Sequence, residues 1–189
     1  YMPTKRELAL SAIHVEQNLI GESVGSQDQT AAAFGGLNKI SFNNVQVFDV
    51  DPIIISNERR TELEDNLMLF FTGFARNASN VAKNQIEATY QREKELNTIM
   101  DICDEGLKLL TDNKQPLNKF GKLLDEQWKV KRELTDKISN KDIDSIYEAG
   151  MFAGALGGKL LGAGGGGFML FYVQKDKQDK VKDALKTKL

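Results

Sequence analysis

Three kinds of residue in this chain have types and spacing that could do chemistry. The first is a glycine cluster, Gly162, Gly164, Gly165, Gly166 and Gly167, set between two apolar arms in the run GGKLLGAGGGGFMLFYV. Without Cβ atoms, these residues can turn backbone N–H groups onto an anion, or let a bulky ligand or second backbone come close. The same run also fits a hairpin whose loop is simply glycine-rich, and it lacks the G-K-[ST] ending of a Walker A loop. The second kind is a pair of carboxylates. Asp28 opens a short helical pattern, where such a residue either caps the helix or, at the mouth of a site, takes a proton from a substrate hydroxyl. Glu16 falls near the C-terminal end of an earlier helix, where a carboxylate opposes the dipole and is either solvated or compensated by a cation. The third is Arg76, in the entry to a long helical pattern, where an arginine makes an anion-binding corner or serves an ordinary surface ion pair.

Cys103 and His14 are the only residues of their types. One cysteine excludes an internal disulfide, and the helical pattern around Cys103 predicts a small buried thiol rather than a nucleophile. One histidine excludes a multi-histidine metal site.

The elements that must hold these residues follow from periodicity and punctuation. Thr4 with Glu7 fits a capping box, and Leu8, Ala12, Val15 and Leu19 form one helical stripe that stops near Gly21. A glycine-bounded loop leads into a helix of small residues, capped by Ser26 or Asp28 and ending at Gly35 and Gly36. From Leu37, NKISF and VQVFDV predict a β-hairpin about the turn pair Asn43 and Asn44. Pro52 and the polar ISNERRTELED stretch mark a boundary, and Asn66 to Gly73 is a buried strand. One long helix then carries Leu96, Ile99, Met100, Cys103, Leu107 and Leu110 on its apolar side, with Asn77 or Ser79 as its cap. Pro116 opens a helix with Phe120, Leu123, Leu124 and a core Trp128 on one face. The next, capped by Ser139 or Asn140, turns Ile143, Ile146, Tyr147 and Gly150 inward. An amphipathic helix closes the chain after the strand Phe168 to Val173.

With 189 residues, 41% of them hydrophobic, the chain can bury a core as one large domain or two small ones. A net charge of −2 gives no electrostatic case for nucleic acid or an anionic membrane surface. No apolar run has the length of a bilayer span, and the first residues lack signal-peptide regions, so the expected location is cytoplasmic.

On these residues the chain resembles the GHMP kinases of sugars and isoprenoids. GGKLLGAGGGGFMLFYV looks like the family's third motif, and VEQNLIGESVGSQDQ looks like the stretch ending in an Asp-Gln pair. Within the family it is most similar to kinases of D-glycero-D-manno-heptose 7-phosphate, in GSQDQTAAAFGG, in FFTGFARNAS and in the run from ISNKDIDSIYEAG into the glycine loop.

The resemblance implies roles. Asp28 matches the catalytic base or electrostatic partner of the attacking hydroxyl, and Glu16, twelve positions earlier, matches an Mg²⁺-associated carboxylate. Gln29 and Arg76 are expected at the substrate, Arg76 on its existing phosphate. The glycine loop is expected beside the nucleotide phosphates and substrate, not as the principal phosphate cradle. The implied cofactors are ATP and Mg²⁺, and the implied reaction is transfer of the γ-phosphoryl group to the anomeric hydroxyl of heptose 7-phosphate, giving the 1,7-bisphosphate. Galactokinase- or fucokinase-like specificity, or a non-catalytic sugar-sensing module, are the alternatives.

These 189 residues contain neither the N-terminal sugar-binding motif nor the G-x-G-S-S-[SA] phosphate loop of the family, so they look like its latter part. The missing N-terminal half is then an expected partner. The expected fold is α+β, with residues 1–58 as the end of the N-terminal domain and 59–189 as a C-terminal domain of antiparallel strands packed against helices.

Overall fold

The structure, a computed structural model, describes residues 2–44, 47–73 and 78–188. It divides into two compact units, Tyr1–Ile54 and Ile55–Leu189.

In the first unit, helix α1 (Lys5–His14) starts at the expected capping box: the Thr4 side chain accepts from the Glu7 amide, and the Glu7 carboxylate reaches back to the Thr4 amide at 2.8 Å. It runs on into a π-helical turn, Val15–Ile20, closed by Gly21 in the left-handed conformation (φ 79°). Helix α2 (Gln27–Phe34) follows, then the antiparallel hairpin β1 (Asn38–Asn44) and β2 (Val47–Pro52). The pair expected to turn this hairpin, Asn43 and Asn44, instead ends β1, because strand pairing continues through a bulge to Asn44 opposite Val47.

The buried face of α1 also differs from the expected stripe. Ala9 and Ile13 are enclosed with Phe48 of β2, whereas Leu8, Val15 and Leu19 are exposed. Helix α1 has apolar residues on two faces, and Phe48 selects the one with Ala9, whose small side chain admits its ring.

The second unit begins with α3 (Asn57–Asn66), whose cap Ser56 accepts from the Arg59 amide at 3.1 Å. Strand β3 (Leu67–Phe71) and helix α4 (Ala78–Thr89) come next, then α5 (Glu93–Thr111). The expected single long helix is thus two. Tight bonds from the Gln91 amide to Ala88 O and from the Arg92 amide to Thr89 O end α4, and Arg92 then restarts the chain, its guanidinium on Glu95 at 3.0 Å. Cys103 is exposed rather than buried. Gly106, Leu109 and Leu110 form the buried face of α5, and Gly106 lies against the Phe120 ring.

Helix α6 (Asn118–Glu133) buries Trp128 completely. Helix α7 (Lys141–Ala153) is capped by Asn140, whose side chain accepts from the amides of Asp142 and Ile143, and it buries all four residues expected inward. Strands β4 (Gly157–Leu160) and β5 (Phe168–Tyr172) then form the hairpin, and α8 (Gln178–Leu185) follows. The sheet is antiparallel in the order β3-β5-β4, so β5 is central.

One sheet face, with Met68, Leu160, Met169 and Phe171, closes on a core with Ile143, Ile146 and Tyr147 of α7 and Val181 and Leu185 of α8. Tyr172, pointing to the other face, joins Leu63, Leu110 and Leu117. Helix α6 reaches β4 because both backbones are bare at the crossing: a Cβ built on Gly157 would run into the Gly121 carbonyl. On the first face, Gly150 makes room for a side chain: a Cβ there would lie 2.5 Å from the Phe171 ring. The α+β architecture expected for the C-terminal domain is therefore present, with helices packed against antiparallel strands.

Candidate active site

The first unit brings Glu16 and Gln29 together. Glu16 sits in the π turn, and its carbonyl accepts from the amides of Gly21 and, at 2.9 Å, Glu22, so the chain folds tightly about it. The next residue, Gln17, donates its side-chain amide to Val24 O at 2.9 Å and to Ser26 Oγ at 3.3 Å, tying the loop back to the turn. These bonds set where α2 begins, and two residues into it the buried Gln29 donates Nε2 to Glu16 Oε2 at 2.6 Å. A charge-assisted bond of this length holds one oxygen of the carboxylate in place. Gln29 Oε1 is itself buried without a hydrogen-bond partner.

Asp28 is the second residue of α2 and is exposed. It does not cap the helix. Ser26 occupies the cap position, its hydroxyl is engaged by Gln17, and its carbonyl accepts from the Thr30 hydroxyl at 2.7 Å. Asp28 therefore projects an exposed carboxylate from the first turn of α2.

In the second unit, the glycine loop joins β4 to the central strand β5 and is pinned at three points. At its start, Lys131 of α6 donates Nζ to Gly162 O at 2.6 Å. In its middle, the Gly165 amide donates to Ile138 O at 2.9 Å, and Gly164 (φ 114°) passes so near that a Cβ would lie 2.8 Å from that carbonyl. At its end, Gly167 meets Thr72, just beyond β3. The Thr72 amide donates to Gly167 O at 2.8 Å, the Thr72 hydroxyl donates to the same oxygen at 2.9 Å, and the Gly167 amide donates to Thr72 Oγ1 at 3.1 Å. The amides of Gly165 and Gly167 are thus committed inside the protein. Among the described residues, the amides of Gly162, Gly164 and Gly166 have no such backbone partner, which leaves these glycines as candidates for an outside acceptor.

Ile138 lies in the connection between α6 and α7, which also carries a polar cluster. Arg132 Nη1 lies 3.1 Å from Asp144 Oδ1, which also accepts from the Ser139 hydroxyl at 2.6 Å. Tyr147 donates its hydroxyl to Asp125 at 2.5 Å; burial, with this carboxylate as the second cause, pushes its pKa well above the ordinary tyrosine value. Lys159, just ahead of the loop on β4, is pushed below the usual lysine range by burial, against the opposing influence of Cys103.

Arg76 lies outside the described residues. Thr72, Lys131 and Ile138 were missed from sequence. Only Thr72 left a trace, as the one polar side chain at the end of the apolar run Leu67 to Phe71.

Comparison with known proteins adds to this geometry. Residues 107–189 match the family model described as "GHMP kinases C terminal". The chain is 34% identical over 185 residues to D-glycero-alpha-D-manno-heptose 7-phosphate kinase of Campylobacter jejuni, an alignment covering 95% of this chain and 53% of that protein. It is 29% identical over 172 residues to the bifunctional fucokinase/GDP-fucose pyrophosphorylase of Arabidopsis thaliana, covering 88% of this chain and 16% of that one. Among solved structures, a D-glycero-D-manno-heptose 1-phosphate kinase from Bacteriodes thetaiotaomicron superposes with a TM-score of 0.65 at 28% identity, over 98% of this chain and 50% of that chain. The chain thus spans about half the length of the heptose kinases it matches.

Proposed function

We propose that the protein carrying this chain, whose residues 107–189 match the family model described as "GHMP kinases C terminal", is an ATP-dependent sugar kinase acting on a heptose phosphate, most simply heptose 7-phosphate. The observation that supports this reading is the 34% identity to a heptose 7-phosphate kinase, which runs over 95% of this chain and so takes in both the Glu16–Gln29 stretch and the glycine loop.

In the proposed reaction, the anomeric oxygen of the sugar forms a bond to the γ-phosphorus of ATP as the bond from that phosphorus to the β,γ-bridging oxygen breaks, releasing ADP. Asp28 accepts the proton of the attacking hydroxyl. Glu16, one oxygen held by Gln29, fits a place in an Mg²⁺ shell, since that ion is commonly bound through one or two carboxylates with substrate phosphates. Mg²⁺ would there neutralise charge on the transferred group. The amides of Gly162, Gly164 and Gly166 supply fixed donors for phosphate oxygens, the kind of preorganised polarity on which phosphoryl transfer depends. Arg76 is proposed for the phosphate already on the sugar, where a guanidinium can bind two oxygens at once.

The test is ADP release by the intact protein with Mg·ATP and, separately, heptose 7-phosphate, heptose, galactose and fucose, with the product read by ³¹P NMR. Release with heptose 7-phosphate alone, and a second phosphorus resonance on the sugar, is the expected result. Release with fucose would move the assignment toward the fucokinase relative, and sugar binding without release would leave a sensing module.

A further inference from the structure

The hydroxyl of Thr72 does more than the strand ladder asks of it. The pairing of β3 with β5 ends at Phe71 opposite Phe168, and one further rung needs only the Thr72 amide on Gly167 O. The buried Thr72 side chain adds two bonds to the same glycine, donating to its carbonyl and accepting from its amide. Gly167 is held in a left-handed conformation (φ 105°), with open space where a Cβ would be, so packing does not hold it there. Its peptide planes are oriented instead by the hydroxyl, across 95 residues of sequence.

We infer that Thr72 is a positioning residue that sets the orientation of the two peptides flanking Gly167, and so anchors the C-terminal end of the loop segment that carries the neighbouring Gly166 amide. The inference rests on the kinase reading only for its consequence in turnover. The peptide joining Gly166 to Gly167 carries the amide that Thr72 Oγ1 receives. Freed, that end of the loop can shift, and a loop that must present donors to a phosphate then spends part of its time in the wrong arrangement. Loss of the hydroxyl therefore slows transfer without weakening the bound ground state in proportion.

The test compares Thr72→Val, which keeps the shape and the backbone rung, with Thr72→Ser, which keeps the hydroxyl, both in the intact protein. In Thr72→Val, the Gly167 amide should exchange with solvent at least about tenfold faster while the amides of Met169 and Phe171 keep their rates. The turnover number should fall by about tenfold or more, with KM for the sugar within about twofold of the parent value. Thr72→Ser should restore both. Unchanged exchange at Gly167 in Thr72→Val overturns the clamp, whatever the turnover. Faster exchange with parental turnover overturns the positioning role. A parent protein with no turnover on any sugar overturns the kinase reading, while the exchange rate still decides the clamp.

Discussion

Gln29 donates its buried side-chain amide to the carboxylate of Glu16 at 2.6 Å, joining the π turn to the first turns of α2. If Glu16 serves Mg²⁺, Gln29 determines which of its oxygens is free. Gln29→Met keeps the length of the side chain and removes the donor. The Mg²⁺ concentration for half-maximal turnover should then rise roughly 10- to 100-fold, the range found when a partner of a metal ligand is lost. Mg²⁺ titration of the rate is the measurement, and an unchanged half-saturation point removes Glu16 from the metal.

Asp28→Asn separates chemistry from helix stability. Asp28 is not the cap of α2, so the variant loses only the interaction of its charge with the dipole, under about 1 kcal/mol. Turnover should fall by about two to four orders of magnitude if this carboxylate is the base. Denaturant titration beside the assay reads both, and an Asn variant at parental turnover returns Asp28 to a purely electrostatic role at the helix end.

Arg76→Ala should raise KM for heptose 7-phosphate far more than KM for unphosphorylated heptose, because only the former offers the guanidinium a phosphate. Equal changes for both sugars would place Arg76 elsewhere.

Gly157→Ala tests the crossing of α6 and β4. The new methyl would enter the Gly121 carbonyl, backbone against backbone, where no rotamer change can relieve it. The expected destabilisation is about 3 kcal/mol, at the upper end for overpacking. A melting point within a degree or two of the parent would mean that the helix slides freely on the sheet.

Alkaline pH should weaken the second unit through its buried tyrosines. Burial, with Glu62 as a further cause and Arg59 opposing, pushes Tyr172 from 10.0 up to about 12. The neutral phenol is therefore the form the fold prefers. Below pH 10 this preference contributes its full stability; between pH 10 and 12 the unfolded chain ionises while the folded one does not, and the contribution is lost. Tyr172→Phe should flatten the decline of stability with pH across that window. An unaltered slope would show that Tyr172 titrates normally.

What was legible in the sequence was local. The Thr4–Glu7 box, the Asn140 cap, the inward set Ile143, Ile146, Tyr147 and Gly150, and the strand into Tyr172 each depend on residues a few positions apart. What failed depended on distant partners. Ala9 and Ile13, not Leu8 and Leu19, are buried because Phe48 packs there. Cys103 is exposed because Gly106 brings the adjoining face of α5 against Phe120. At the site, the glycines were visible as a composition, but the residues that fix them were not: Thr72 and Gly167 are neighbours only because β3 pairs with β5.

The π turn at Val15–Ile20 has a consequence for how this stretch tolerates change in length. A π turn holds one residue more than the α-helical ladder would in the same rise, as if an insertion had been absorbed without breaking the helix. Deleting one residue from Gln17 to Ile20 should let the turn relax to α-helical geometry while the residues after it keep their direction about the axis. The loop leading to α2 would then leave the helix in the same direction, with Gln29 still within reach of Glu16. A single-codon deletion here should therefore be far less damaging than one inside Lys5–His14, where the regular α-helix has no surplus residue to give up.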